Sequence, residues 1–402
     1  MELFNKPNFD FLGKKWPFII GSLVLVIASS VSLVVHGGPR YGIDFTGGVL
    51  MSLKFAKMPP LDEIRSVLSE RIDGEISVQE IVGSHEVMVG TELQSEEKLA
   101  EARRVMVETL SAQFGGESGK TDLNNAGADV IAGALKKNNV PLSNEEIDQL
   151  AERIREFRDT PPRSGLLTSF DQLSVVEGVT PEIIKTLQSS CSLAPFSIRS
   201  VEIVGPKIGK QLRQQAVMAT LLALGGMLVY IAFRFEWIYG VAAVIAVFHD
   251  VFITLGLFSL TNREISLTVI AALLTLVGYS MNDTIVTFDR IRENLKVVRR
   301  GSFPEMVNLS INQCLNRTVL TSCLTFLTVL ALFLFGGQVL NGFAFALVMG
   351  IIVGTYSSVF IASPILISLQ GVLESRKRSR VVPAPQSRKA AARKGSAKAV
   401  RQ

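Results

Sequence analysis

The chain has 402 residues, of which 48% are hydrophobic and 19% are charged, with a formal net charge of +5. This composition indicates membrane spans combined with a soluble part, and it argues against a wholly soluble enzyme. The three cysteines, Cys191, Cys314 and Cys323, predict no disulfide framework, and no CxxC or Cys/His cluster indicates a structural metal.

The N-terminal segment contains the first long hydrophobic run. Trp16–Val35 spans about 20 residues, enough to cross a hydrocarbon core roughly 30 Å thick. A signal peptide is the alternative, because Lys14 and Lys15 precede the run, but the sequence at 36–40 makes a poor cleavage site. We therefore expect a cytoplasmic N-terminus at 1–15 and an uncleaved transmembrane helix at 16–36.

The segment 37–213 is predicted to be an α+β domain interrupted by an insertion. Alternating apolar residues predict strands, and amphipathic runs predict helices. The predicted elements are strand 49–55, helix 59–71, hairpin strands 75–82 and 86–90, helix 95–114 and strand 196–204. This β-α-β-β-α-β order is that of ferredoxin-like domains.

The insertion, 117–195, is predicted to be all-helical. Ser143 and Glu146 have the spacing of a capping box that begins a helix to about 158. Ser169 is predicted to begin a second helix. Thr180 and Pro181 have the residue types preferred at the N-cap and first position of a third.

Five further apolar runs predict five more spans, in a transmembrane region over 214–371. They cover 215–233, 237–260, 265–287, 318–335 and 340–370, with a polar connection at 289–317. Six spans place both termini on one side. The residues that share this side include Lys14, Lys15, Arg234, Arg290, Arg292 and Arg317, whereas the opposite short loops hold only Arg263. The positive-inside rule then predicts cytoplasmic termini and a 37–213 domain on the other side of the membrane, which in a bacterial inner membrane is the periplasm.

The C-terminal segment, 372–402, is rich in Arg, Lys, Ala, Pro and Ser. This composition predicts a basic, disordered cytoplasmic tail. A contact with anionic lipid and a contact with a ribosome or protein partner both remain open.

Ionisable groups within spans are functional candidates, because burying charge in a membrane is costly. Asp283 is our first candidate for a proton carrier, with Arg317 as its charge partner. A carboxyl balanced between desolvation and a nearby cation can gain and lose a proton during a cycle. A position of Asp283 at the membrane interface, and a purely topological role of Arg317, are the alternatives.

Other polar residues in or near the spans are secondary candidates. Asp250 follows His249, and the two suit either a relay or a structural hydrogen-bonded pair. Asn282 and Asp289 flank Asp283 along the chain. Asn282 suits helix packing, whereas Asp289 suits a solvated helix face.

Four sequence motifs resemble SecF, of the SecD/SecF protein-export membrane subunit family in the resistance–nodulation–division superfamily. They are Tyr-Gly-Ile-Asp-Phe-Thr-Gly-Gly at 41–48, Val-Gly-Pro-Lys-Ile-Gly at 204–209, the polar motif of the fourth span at 278–294 and the glycine motif of the sixth span at 350–358. The resemblance covers about 1–115 and 196–373. Within the first motif, Asp44, Gly47 and Gly48 suit a pivot between span and domain, or a turn that requires positive φ.

The resemblance implies a function in protein transport. It implies a Sec translocase subunit that works with SecD, the SecYEG channel, the SecA ATPase and YajC on an unfolded export polypeptide. It implies proton motive force as the energy source, with Asp283 and Arg317 at the family's proton path, no other cofactor and no catalysis. Late stages of export would depend on it.

The insertion resembles a different family. Its helical segments at 142–159 and 166–187 resemble the helical domain of the type II secretion minor pseudopilin K. Such helix-hairpin-helix folds often bind DNA, but no strongly basic face is present and we expect no nucleic-acid partner. A protein contact and a neutral spacer both remain open.

Two other functional classes fit parts of the sequence. A proton-independent scaffold of the translocon would use Asp283 only for helix packing, and a small-molecule exporter of the same superfamily would need larger paired domains. A nucleotide site is excluded at 205–210, because Gly-Pro-Lys-Ile-Gly-Lys does not match a P-loop.

Overall fold

The computed structural model describes residues 7–380, except 73, 82–84, 94, 118, 139, 235 and 298–300. The chain forms two compact units. One, which we call the sheet unit, comprises Pro39–Leu221 and Asn262–Ile270. The other, which we call the membrane unit, comprises Met1–Gly38, Leu222–Thr261 and Ala271–Gln402.

The helices and strands follow one another along both units. In chain order they are α1 (Lys15–Val35), α2 (Ile43–Thr46), β1 (Gly48–Phe55), α3 (Leu61–Ser69), β2 (Ile76–Ile81), β3 (Glu86–Glu92), α4 (Glu96–Phe114), β4 (Thr121–Asp122), α5 (Ala128–Lys137), α6 (Asn144–Asp159), α7 (Pro181–Ser190), β5 (Cys191–Ser192), β6 (Phe196–Val204), α8 (Pro206–Arg234), α9 (Trp237–Leu260), α10 (Leu267–Val297), α11 (Phe303–Phe335), α12 (Gly337–Ser357) and α13 (Ser363–Arg380).

The sheet unit is built on a four-stranded antiparallel sheet in the order β2-β3-β1-β6. Strand β1, one of the two central strands, buries Val49, Met51 and Leu53 completely, as its alternating pattern predicts. Helices α3 and α4 contribute Leu68 and Met106 to the same hydrophobic core. All the predicted strands and helices around this sheet are present, although the hairpin turn at 82–84 lies outside the described residues.

The insertion has a hydrophobic core of its own, formed by α5, α6, α7 and the segments between them. The capping box of α6 is confirmed: Ser143 Oγ accepts from Glu146 N, and the Glu146 carboxylate accepts from Ser143 N. The Thr180 hydroxyl likewise accepts from Ile183 N at the start of α7. The helix predicted from Ser169 is a 3-10 helix over Phe170–Val175.

The prediction that the insertion is all-helical is wrong in one respect. Strands β4 and β5 pair in parallel, with Thr121 opposite Cys191, and Leu123 N donates to Ser192 O at 2.9 Å. This short pair joins the two ends of the insertion, which follows α4 and precedes β6. Backbone groups buried at such a junction need partners, and the pair supplies them.

The membrane unit and α8 contain the six predicted spans. Among the described residues, six helical segments are long and apolar enough to cross a membrane, at Lys15–Val35, Pro206–Ile231, Trp237–Leu260, Leu267–Val297, Phe303–Phe335 and Val339–Ser375. These six segments match the six predicted spans, so the chain is a multi-pass membrane protein.

The polar connection at 289–317 is largely helical, because both flanking helices continue through most of it. Ser302 and Glu305 form a capping box that begins α11 well before its apolar part. Asn294 Nδ2 of α10 donates to Ser310 Oγ of α11 at 2.7 Å. Cross-helix hydrogen bonds of this kind hold the polar ends of the two helices together.

The last span contains a π-helical turn at Ser358–Ala362, between α12 and α13. Helix α13 continues to Arg380, so the start of the tail predicted to be disordered from 372 is helical. Leu373 packs against the hydrophobic core of the membrane unit, which extends the helix beyond the predicted boundary. The predicted tail at 381–402 lies outside the described residues.

Candidate functional site

Asp283 lies within α10 and is only 4% exposed. Ser322 Oγ, on α11, donates to Asp283 Oδ2 at 3.3 Å. The next polar groups along the buried face of α10 are Thr284 and Thr287, which are also buried. A shielded carboxyl with a hydroxyl neighbour can carry either a proton or a charge, which is what a proton carrier requires.

Arg317 lies on α11, the same helix as Ser322, with an exposed side chain. Its positive charge acts on the Asp283 carboxyl. The ion pairs within the described part of the chain do not include Arg317. The structure therefore brings the two predicted partners into electrostatic range without a direct ion pair.

Asp250 on α9 is fully buried and is bonded from three sides. Ser280 Oγ of α10 and Ser357 Oγ of α12 donate to its Oδ2 at 2.5 and 2.7 Å. His249 Nδ1 lies 2.8 Å from its Oδ1. Asp250 thus joins three helices, α9, α10 and α12, through one carboxyl group.

Two glycines of α12 allow this close approach. A Cβ on Gly350 would overlap the Leu276 side chain of α10, and a Cβ on Gly354 would lie 3.2 Å from Ser280 Cβ. The four-residue spacing puts both glycines on one face of the helix, as in small-residue interfaces of membrane helices. Gly278 differs, because no described atom lies within 4 Å of a Cβ built there.

Helix α10 carries Asp283 and also Ser280, the serine that bonds Asp250. Ser280, which donates to Asp250, lies three residues before Asp283, so both positions fall near one face of α10. The Thr284 hydroxyl donates to the Ser280 carbonyl at 3.2 Å, along the same turn. A movement of α10 would therefore change the surroundings of both carboxyl groups.

The two other secondary candidates lie on the outer faces of α10. Asn282 is exposed. Asp289 is exposed and pairs with Arg234 through a 3.2 Å contact. The structure does not bring either side chain into the buried group formed by Asp283 and Ser322.

The candidate pivot lies in the sheet unit, where the three residues have packing functions. Asp44 Oδ2 accepts from Leu267 N at 2.8 Å, at the first residue of α10. Gly47 has φ 79° and packs against Pro206, and Gly48 has φ 151° and packs against Thr91. The glycines meet a backbone requirement, and a pivoting motion here stays a prediction.

Sequence reasoning did not identify the hydroxyl partners Ser280, Ser322 and Ser357. Each lies on a different helix from the carboxyl that it bonds, and serine is common in membrane helices, so the sequence gives no specific signal for it. Among the described residues, no three or more His, Cys, Asp or Glu side chains gather as a metal site would require.

Family models match two parts of the chain. The model described as protein export membrane protein SecD/SecF, C-terminal, matches 184–372, and the SecD/SecF GG motif model matches 32–57. A protein translocase subunit SecF of Koribacter versatilis is 46% identical over 409 residues, which cover 97% of this chain and 98% of that protein. The chain belongs to the SecF family. A SecF subunit of Calditerrivibrio nitroreducens is 36% identical, with 93% and 97% of the two chains covered.

Solved structures of SecDF have a similar fold to this member of the SecF family. The crystal structure of SecDF, a translocon-associated membrane protein from Thermus thermophilus, is 33% identical with a TM-score of 0.62. A SecDF structure described as a super-membrane-facing form is 32% identical with a TM-score of 0.55. The chain spans 39% and 41% of those two SecDF chains, and 91% and 95% of its own residues are covered.

Proposed function

We propose that this chain is the SecF subunit of a bacterial protein translocase, which uses the proton gradient together with SecD to promote late stages of polypeptide export. Membership of the SecF family supports the export function, because the relatives carry the name of translocase subunits. The observation that carries the proton step is the buried Asp283 carboxyl inside a span, with Arg317 in electrostatic range.

The proposed step is a change in the protonation of Asp283. The ionised carboxylate attracts Arg317, and the protonated carboxyl releases it, so α10 and α11 have two preferred arrangements. Each charge that crosses the membrane potential supplies about 2.3 kcal/mol per 100 mV. This energy is enough to shift a two-state equilibrium by more than tenfold.

The exposed polar side chains of the spans support a partner subunit. Asn282 on α10 and Arg317 on α11 are both exposed, and such groups are costly against lipid. SecD would cover them, since this chain spans less than half of the SecDF chains that it resembles. The SecYEG channel, the SecA ATPase, YajC and an unfolded export polypeptide are the further partners that the family resemblance suggests.

The proposed location is the bacterial cytoplasmic membrane, with both termini in the cytoplasm and the sheet unit in the periplasm. The charges support this orientation: Arg234, Arg290 and Arg292 occur at span ends on the side assigned to the cytoplasm. The βαββαβ element order and the strand order β2-β3-β1-β6 support a ferredoxin-like class for the sheet unit.

The test is export of an unfolded client in vesicles that hold this chain with SecD, SecYEG and SecA. Asp283→Asn keeps the shape of the side chain but cannot lose a proton, so export should fall at least tenfold under a proton gradient. Glu293→Gln is the matched control on α10, where the exposed Glu293 pairs with Arg290 at the surface, and it should export normally. Equal export with and without the gradient would instead support the scaffold.

A further inference from the structure

The loop between α9 and α10 is part of the sheet unit. Ile265 N donates to Arg40 O at 2.8 Å, and Gly42 N donates to Ile265 O at 2.9 Å. Ile265 is buried, and Tyr41 and Ile265 form a parallel β-bridge. Backbone hydrogen bonds therefore join the segment that follows the first span to the loop that precedes α10.

The start of α10 is bonded to the same segment. Leu267 N is one of the first backbone donors of α10, which have no partner within the helix. It donates to Asp44 Oδ2 at 2.8 Å. A carboxylate at a helix N-terminus also interacts favourably with the helix dipole, so Asp44 stabilises the beginning of the helix that carries Asp283.

Glu264 extends this junction to the sheet. Ser77 Oγ and Gln79 Nε2 of β2 both donate to Glu264 Oε1, at 2.9 and 3.0 Å. Ser77 and Gln79 are two residues apart on the strand, so their side chains share one face of the sheet. A single oxygen of Glu264 thus connects the loop before α10 to the strand at the edge of the sheet.

The surroundings of Glu264 favour its protonated form. Burial raises the pKa of Glu264 above its usual range, and the nearby carboxylates Glu92 and Asp44 raise the pKa further, whereas the Ser77 hydrogen bond and Arg40 oppose the shift. Burial and Glu75 also raise the pKa of Glu92. Because both donors bond to Oε1, a proton on Oε2 leaves the two hydrogen bonds in place.

We propose that Glu264 is a positioning residue that couples α10 to the sheet: its Oε1, bonded to Ser77 and Gln79, transmits displacement of α10 to the sheet unit. The proposal rests on the proposed function, in which Asp283 on α10 changes its protonation. Movement of the N-terminal end of α10 pulls the loop, and the loop pulls the edge strand β2 through this carboxyl group. Removal of the Glu264 carboxyl group removes both of these hydrogen bonds between β2 and the loop.

The first experiment separates proton flow from export in the full translocase vesicles. Glu264→Ala should keep the proton current that depends on Asp283 while export of the client falls several-fold. Glu264→Gln should restore export, because its amide oxygen replaces Oε1 as the acceptor for both donors. Glu101→Ala, at an exposed acid on α4, is the control and should behave as the wild type.

The outcomes distinguish this proposal from the proposed function. Absence of any client-dependent proton current in the wild type would overturn the proposed function. A normal wild-type current, with export by Glu264→Ala equal to that of the wild type, would overturn only the coupling proposal. Loss of both current and export in Glu264→Ala would also overturn it, because the contact would then serve proton flow itself.

The second experiment measures the contact directly, by hydrogen exchange at the amides of Gly42, Ile265 and Leu267 in the full chain. Loss of the two hydrogen bonds in Glu264→Ala should speed exchange there roughly tenfold. In the wild type, protection should decrease as pH rises through the raised pKa of Glu264, because the ionised form is the disfavoured one. Glu264→Gln should remove this pH dependence, and wild-type protection in Glu264→Ala would contradict the proposal.

Discussion

Asp250 and Asp283 differ in how closely their hydrogen-bond partners hold them. The Asp250 carboxyl accepts from Ser280 and Ser357 and lies against His249, all within a fully buried group. Asp283 has the looser arrangement of a hydroxyl at 3.3 Å and a cation without direct contact. The difference favours a structural function for Asp250 and a proton-carrying function for Asp283.

Replacement of Asp250 should reveal this structural function as a loss of stability. Asp250→Ala removes the acceptor of the buried Ser280 hydroxyl and leaves Ser357 only its contact with the Gly354 carbonyl, which should lower the free energy of unfolding by about 2 kcal/mol. Asp250→Asn keeps an acceptor oxygen and should lose less. Denaturant unfolding in detergent measures both values. Wild-type stability in both variants, with proton current lost in Asp250→Asn, would place Asp250 in the relay instead.

Gly48 is restricted by backbone geometry. Its φ of 151° and its contact with the Thr91 carbonyl leave no space for a Cβ. Gly48→Ala should therefore disturb the pairing of β1 with β3 and destabilise the sheet unit by about 3 kcal/mol. Gly37→Ala, at φ 70° with no described atom near the new Cβ, should cost about 1 kcal/mol. Because Gly37 lies in the membrane unit, protease resistance of the sheet unit should fall in Gly48→Ala and stay at the wild-type level in Gly37→Ala. Equal resistance of the two variants would contradict this account.

Helices α10 and α12 approach each other closely at Gly350, where a Cβ would overlap the Leu276 side chain. Gly350→Ala should force the buried Leu276 side chain to move, at a cost of about 1–3 kcal/mol. The matched control is Gly278→Ala on α10, where no described atom would meet the new Cβ. This substitution should be neutral or stabilising by up to about 1 kcal/mol, since alanine is the better helix former. Thermal unfolding would compare the two, and a stabilised Gly350→Ala variant would contradict the packing described.

The elements also show which features a sequence pattern can predict. The sheet strands follow from alternation along the chain, and β6 is present at the predicted 196–204. The lengths of α10 and α11 did not follow from hydropathy, because their polar ends are stabilised by contacts such as Asn294 with Ser310. The Ser302–Glu305 capping box was the available signal for the start of α11. Helix α5 was missed because its N-cap, Gly127, has no side chain that could form a capping hydrogen bond.

The candidate site was predictable only in part, because the sequence shows polar residues within apolar runs but not the contacts that they make. An aspartate within an apolar run is visible in the sequence, so Asp283 and Asp250 were both identified. Their bonding partners come from other helices and depend on packing distances that the sequence does not show. Glu264 gave no signal at all, because its importance arises from the contact of a loop with β2.

At the scale of the whole molecule, the two units differ in what covers their apolar side chains. The sheet unit and its insertion each have a hydrophobic core independent of the spans. Within the described part of the chain, most residues in the apolar parts of α1, α8 and α11 are not buried. Their outer faces therefore suit lipid or a second membrane subunit, as the SecDF chains that this chain spans in part would provide.

The most direct test of the central claim is the proton current in vesicles that contain this chain with SecD, SecYEG and SecA, measured while an unfolded client is exported. The account predicts a client-dependent current in the wild type and in Glu293→Gln, and a decrease of at least tenfold in Asp283→Asn. A current of wild-type size in Asp283→Asn would contradict it, and Asp283 would then be a residue of helix packing.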